Sequence, residues 1–275
     1  MALARPRVGH IEFLNCLPLY YGLVHSHAVV DLDLRRGTPA ELSDALIAGE
    51  LDIAPVPSIE YLRHADDLLL LPELTVSSTG EVGSIILAVK EPVEDAHGKR
   101  IAMTDRSRTS QALLRILLIE HWGVEAELVV CPPDLKSMLA SNDGALLIGD
   151  DALRADYPAS VLTYDLGSAW EAHTGLPMVY AVWAVRRAYA EVHPGIVSRV
   201  HQGFMASLDY SRDNADEVAE RAAEWEPFDA GFLAAYFRKL SFSFDDADRR
   251  GLELFAGKAV AHGLLGRAPQ LHFAL

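Results

Sequence analysis

Residues 37–62 read GTPAELSDALIAGELDIAPVPSIEYL, and the order of signals in this stretch decides the fold class. Thr38 offers a side-chain acceptor at a helix start, Pro39 fits the first turn, and Glu41, three residues after Thr38, completes a capping box. The spacing predicts a helix running to about Gly49. Asp52 to Val56 is then short and apolar, like a buried strand, and Pro57 with Ser58 opens a second helix. Upstream, Arg7 to Phe13 has strand length and leads through Asn15, Leu17 and Pro18 into a helical stretch. Val29 to Arg35 alternates apolar and charged residues, the period of a half-buried strand. Strand and helix thus alternate three times, the pattern of an α/β domain with mostly parallel strands.

The pattern then starts again. Ser84 to Lys90 is an apolar strand and Glu91 to Lys99 a polar crossover containing Pro92 and Gly98. Gly98 to Met103 is strand-like, Thr104 to Thr109 is a small-polar turn, and a helix follows from Ser110 to about Trp122, ended by Gly123. Further strands are expected over Glu125 to Cys131 and Ala145 to Ile148, with a short helix from Pro133 to Ala140 between them. Pro177 to Val185 is a second long apolar strand, and the remainder is helical, with starts at Pro194, Asp213, Asp229 and Asp245. If the two long apolar strands pair as connectors, residues 1–90 and 177–275 form a first, discontinuous lobe carrying the C-terminal helices. Residues 91–176 then form an inserted second lobe. Ligands of open α/β sheets sit beyond the carboxyl ends of strands, so chemistry is expected in the cleft between the lobes.

Composition narrows the function classes. Among 275 residues, 24 Lys and Arg stand against 39 Asp and Glu, for a net charge of -15. A nucleic-acid or anionic-membrane binder needs clustered basic residues, so neither partner is expected. The longest apolar runs are of strand length, short of the roughly 20 residues that span a bilayer. His10, Glu12 and Asn15 interrupt any apolar stretch of a signal peptide, which reads as a cytoplasmic protein. Cys16 and Cys131 have no metal-ligand spacing and imply neither disulfide nor zinc. Dinucleotide, phosphate-loop, nucleophile-elbow and zinc-helix motifs are missing, and no cofactor or metal is expected. His25 and His27 lie on a helix end and read as surface residues rather than ligands, and Cys16 as a small buried side chain.

The strand ends instead bring small polar groups to the cleft: Asn15, Ser58, the stretch Ser77 to Gly83, Thr104 to Ser110, and Gly149 with Asp150. Hydroxyls, an amide and the free N–H groups of helix starts suit a carboxylate ligand. Any one of Ser58, Thr109 and Ser110 can instead simply cap its own helix. Asp150 reads either as an acid or base at a strand end or as a solvated helix-start carboxylate.

Three segments carry a resemblance: IEFLNCLPLYYGL (Ile11 to Leu23), GELDIAPVPSIEYL (Gly49 to Leu62) and GKRIAMTDRSRTSQALLRILL (Gly98 to Leu118). They are similar to the chorismate dehydratase family of the futalosine route to menaquinone, and the likeness runs from about Arg7 to Gly263. The resemblance implies the two-lobed fold of type II periplasmic binding proteins, in a cytoplasmic enzyme whose substrate, chorismate, is a dianion. The implied reaction removes water to give 3-[(1-carboxyvinyl)oxy]benzoate. Family analogy puts Ser84, Thr109 and Ser110, with Ser58 and Gly149, at substrate-binding positions; Asn15 and Asp150 are the catalytic candidates from their places at strand ends, and Arg108 could add charge or point to solvent. Two candidates for the base stay open: Asp150 or a neighbour, or the substrate's own enolpyruvyl carboxylate held by donors such as Asn15. The competing readings are the sister enzyme that makes 1,4-dihydroxy-6-naphthoate, with a base His where this chain has Gly149, Asp150 and Asp151, and a non-catalytic solute-binding or sensing module.

Overall fold

A computed structural model describes residues 5–25 and 31–275. Its strands form two five-stranded sheets. The first sheet takes β1 (Arg7–Ile11), β2 (Asp33–Gly37), β3 (Ile53–Pro57) and β4 (Leu68–Ser78) from the start of the chain. The second is built from β5 (Ile85–Val89), β6 (Arg100–Thr104), β7 (Glu127–Cys131), β8 (Gly144–Ile148) and β9 (Leu162–Asp165). β10 (Met178–Arg186) returns to the first. The orders are β2-β1-β3-β10-β4 and β7-β6-β8-β5-β9. Within each sheet one strand, β10 or β5, runs against the other four. The two sheets therefore repeat one topology, and helices cover their faces. β3 and β8 are buried along their whole length, which explains why both read as continuous apolar runs rather than alternating ones.

The expected capping box forms. Glu41 N donates to Thr38 Oγ1 at 3.3 Å and Thr38 N to Glu41 Oε2 at 2.9 Å, opening the helix Pro39–Ile47. The helix expected from Ser110 begins two residues earlier, at Arg108, because Ser107 is the cap that receives Ser110 N. The strand expected over Val29 to Arg35 is β2, starting at Asp33; positions 29 and 30, like His27, lie outside the described residues.

The two long apolar strands do not pair. β5 lies between β8 and β9, while β10 lies between β3 and β4. Each of the two has backbone partners on both edges, in a different sheet. By pairing, the chain leaves the first sheet between Ser78 and Ile85, ahead of the boundary at 90 expected from sequence, and re-enters it after the helix Leu166–Thr174.

β4 itself is missed by the sequence reading. Pro72 and Glu73 interrupt LLLLPELTVSS, and Glu73 has a positive φ of 58°. The break is a bulge on an edge strand, where proline is tolerated, and the register against β10 shifts there. At the back of the first sheet the helices Leu17–His25 and Pro194–Asp213 cross so closely that a Cβ on Gly22 would lie 2.1 Å from Ser207 O. The helix Leu17–His25 is preceded by a short turn that follows β1.

Candidate active site

That turn, the 3-10 segment Leu14–Cys16 after β1, presents Asn15 to the space between the sheets. It is held from the other side: Leu14 N donates to Asp150 Oδ1 at 2.9 Å, and Asp150 stands in the first turn of the helix Gly149–Arg154 that follows β8. Burial pushes the Asp150 carboxyl above its usual range, partly offset by the Leu14 N–H and by Arg154. Arg154 Nη2 is 3.9 Å from Asp150 Oδ2 and is shared with Glu226. Gly149 has φ 56°, and a Cβ there would lie 3.1 Å from the Phe13 ring, so the close approach of helix and turn requires glycine.

Asn15, Ser84, Ser110 and Gly149 line one narrow cavity of ≈ 40 Å³ in the cleft. The polar groups beside them are Ser107 and Tyr180, and the walls include Ile11, Phe13, Ile85 and Ile148. Buried Ser84 accepts a hydrogen bond from Tyr236 Oη at 2.8 Å, which leaves its own proton to donate, and its carbonyl accepts from Gly149 N at 2.7 Å. Ser107 Oγ and Ser110 Oγ are 3.0 Å apart. Tyr180 Oη is 2.9 Å from Ser78 Oγ, whose proton goes to Gly80 O at 3.1 Å. The buried Asn15 Oδ1 has no hydrogen-bond partner among the described residues. An unpaired buried amide oxygen is costly and suits a ligand donor.

Three expected residues, Ser58, Thr109 and Asp150, stand outside this lining. Ser58 Oγ donates to Val179 O at 2.7 Å and Thr109 Oγ1 accepts from Ile59 N at 3.2 Å. Arg108 neither faces solvent freely nor enters the cavity: it pairs with both Asp44 oxygens at 2.7 and 2.9 Å and lies 3.4 Å from Glu60, bridging helices of the two sheets. Ser107 lies within the stretch Thr104 to Ser110 expected at the cleft, and Tyr180 is the polar lining residue that sequence reasoning missed. Ser107 carries a readable signal, since it precedes the helix by one residue; Tyr180, inside an apolar strand, carries none.

The chemical inventory is short. The only titratable side chain among the lining residues is Tyr180, and burial raises its phenol so that it stays protonated. Cys16, behind the turn, is wholly buried and its thiol is pushed up by burial, as befits a packing residue. No group of three or more His, Cys, Asp or Glu among the described residues could hold a metal. No helix among them is long and apolar enough to cross a membrane. The residues that line this cavity can donate hydrogen bonds, and none of their side chains is a ready proton acceptor.

Residues 6–261 match the family model described as menaquinone biosynthesis. The chain belongs to that family. A curated relative, chorismate dehydratase of Thermus thermophilus, is 32% identical over 259 residues, covering 87% of this chain and 92% of the relative. The 1,4-dihydroxy-6-naphtoate synthase of the same organism is 24% identical, covering 96% and 97%. Among solved structures, a protein of Archaeoglobus fulgidus superposes with a TM-score of 0.80 at 19% identity, covering 96% of this chain and 100% of that one. The periplasmic aliphatic sulphonate binding protein of Escherichia coli gives 0.65 at 14%, covering 97% and 95%. The menaquinone biosynthesis family thus uses here the two-lobed fold of periplasmic binding proteins, as the resemblance implied.

Proposed function

We propose that the chain is a chorismate dehydratase of the futalosine route, working in the cytoplasm, which converts chorismate to 3-[(1-carboxyvinyl)oxy]benzoate and water. The relative of that activity, matched over most of both chains, supports the reaction. The observation that carries the mechanism is the lining of the cleft: hydroxyls, an amide and a protonated phenol, with no carboxylate, imidazole or amine.

The ring hydrogen beside the enolpyruvyl ether is allylic and conjugated through a double bond to the ring carboxylate. Its removal gives an extended enolate. Departure of the neighbouring hydroxyl as hydroxide completes the aromatic ring, and the abstracted proton joins it as water. The enolpyruvyl carboxylate of the substrate takes the proton, held over the C–H bond by hydrogen bonds that the Asn15 Nδ2 donates to it. Ser84, Ser107, Ser110 and the Gly149 N-terminal turn stabilise the charge that builds on the ring carboxylate. Because aromatisation drives the reaction, orientation and charge stabilisation suffice. Asp150 acts as a positioning residue through Leu14, and Thr109 and Ser58 keep the cleft's edge in shape. The cavity of ≈ 40 Å³ is far below the roughly 300–1,000 Å³ of small-molecule sites. Substrate entry therefore requires the lobes to part, breaking the Leu14–Asp150, Ile59–Thr109 and Arg108–Asp44 ties.

The test replaces Asn15 by Ala. Turnover of chorismate, followed by absorbance and mass of the aromatic product, should fall by orders of magnitude while the fold melts normally. A variant with near wild-type turnover refutes the role of Asn15. Chorismate left intact by the wild-type chain refutes the activity and turns attention to the naphthoate synthase chemistry of the 24% relative.

A further inference from the structure

A second cavity, of ≈ 440 Å³, opens among the helices Pro194–Asp213, Ala215–Ala223 and Ala230–Lys239 and the segment that follows them. Its size falls within the roughly 300–1,000 Å³ of small-molecule sites. The walls are mostly apolar, with Leu208, Val218, Phe237 and Phe242. In a chain of net charge -15, the lining contains two arginines, Arg212 and Arg238, and no acidic residue. Arg212 is paired with Asp209 at 3.0 Å and the neighbouring Lys239 with Glu81 at 2.7 Å. Arg238 forms no ion pair among the described residues.

A second, independent feature lies in the wall. Ser211, only 4% exposed, has a buried hydroxyl with no hydrogen-bond partner among the described residues. An apolar chamber with one unpaired guanidinium matches a molecule with an apolar body and a planar acidic head, since guanidinium pairs carboxylates in a two-pronged geometry.

We propose that this cavity is a binding site for a small amphipathic carboxylate, with an aromatic or alicyclic body, separate from the cleft. The site shares a wall with the cleft: the helix that contributes Phe237 and Arg238 also carries Tyr236, the donor to Ser84. The inference does not depend on the reaction proposed for the cleft.

Isothermal titration of the full chain with 2-naphthoate tests it, with the neutral 2-naphthalenemethanol as control. The acid should bind saturably, and at least about tenfold more tightly than the alcohol. Binding should weaken about tenfold in Arg238→Gln, weaken also in Ala234→Phe, whose ring intrudes into the chamber, and persist in Asn15→Ala. Arg238 is exposed, so its replacement is decisive even if Ala234→Phe does not fold. Binding lost in Asn15→Ala and retained in Arg238→Gln and Ala234→Phe puts the ligand in the cleft and overturns the proposal. Equal affinity for acid and alcohol, or no binding up to the solubility limit, overturns it as well.

Discussion

Replacing Asp150 separates a proton acceptor from a positioning residue. Its Oδ1 accepts from Leu14 N at 2.9 Å, and the turn so held carries Asn15 one residue later. Asn at position 150 keeps an oxygen acceptor in the same place but cannot act as a base. Ala removes the acceptor altogether. A hydrogen bond to a charged group contributes about 1.5–3 kcal/mol, and if that free energy holds the turn in its productive position, Ala should slow turnover by roughly 10- to 150-fold. Asn should cost less than about tenfold, because the Leu14 N–H stays paired. A general base, by contrast, contributes about 10²–10⁴-fold, and Asn and Ala would lose it alike. Single-turnover formation of the aromatic product, beside thermal melts of both variants, measures the difference. An Asn variant as slow as the Ala variant, with an intact melt, refutes the positioning role and makes Asp150 the base.

Gly149→Ala forces a side chain onto a backbone at φ 56° and against the Phe13 ring, so it should destabilise the chain by about 1–3 kcal/mol and weaken turnover together, as read by melts and by kcat/KM. Ser84→Ala leaves the buried Tyr236 hydroxyl without its acceptor and should cost about 1–3 kcal/mol of stability; the double variant with Tyr236→Phe should recover part of that in denaturant melts, though not the activity. Burial, with a smaller contribution from Arg36, lowers the His10 pKa from 6.5 to about 4. The unfolded chain therefore binds a proton there that the folded chain refuses, and stability is lost as pH falls from 6.5 towards 4. The loss is of order 3 kcal/mol, and His10→Gln should flatten that limb of the stability profile.

The legible parts of this fold are those with local causes. Thr38, Pro39 and Glu41 specify their helix by hydrogen bonds three residues apart, and the buried runs in β3 and β8 specify central strands. Which strands pair is a long-range matter: β5 and β10 look alike in sequence but sit in different sheets. β4 was hidden because Pro72 mimics a chain break that an edge bulge absorbs. The site divides in the same way. Successive residues on a helix point about 100° apart, so of the neighbours Thr109 and Ser110 one reaches the cleft and the other turns to Ile59. Sequence indicates that both are small and polar at a helix start, but not which face meets the ligand. Ser58 illustrates the same limit, its hydroxyl turned to Val179 O.

Net charge acts against the proposed substrate, since a chain at -15 repels a dianion at long range. Capture must then rest on short-range donors, and a cleft with no acidic residue among its lining is suited to that.

In the proposed mechanism the protein supplies donors and the substrate supplies its own base. Turnover of chorismate beside an analogue whose enolpyruvyl carboxylate is replaced by a carboxamide tests it most directly. Chorismate should lose one water to give the aromatic ether while the carboxamide binds and stays intact. Conversion of both at similar rates would contradict it.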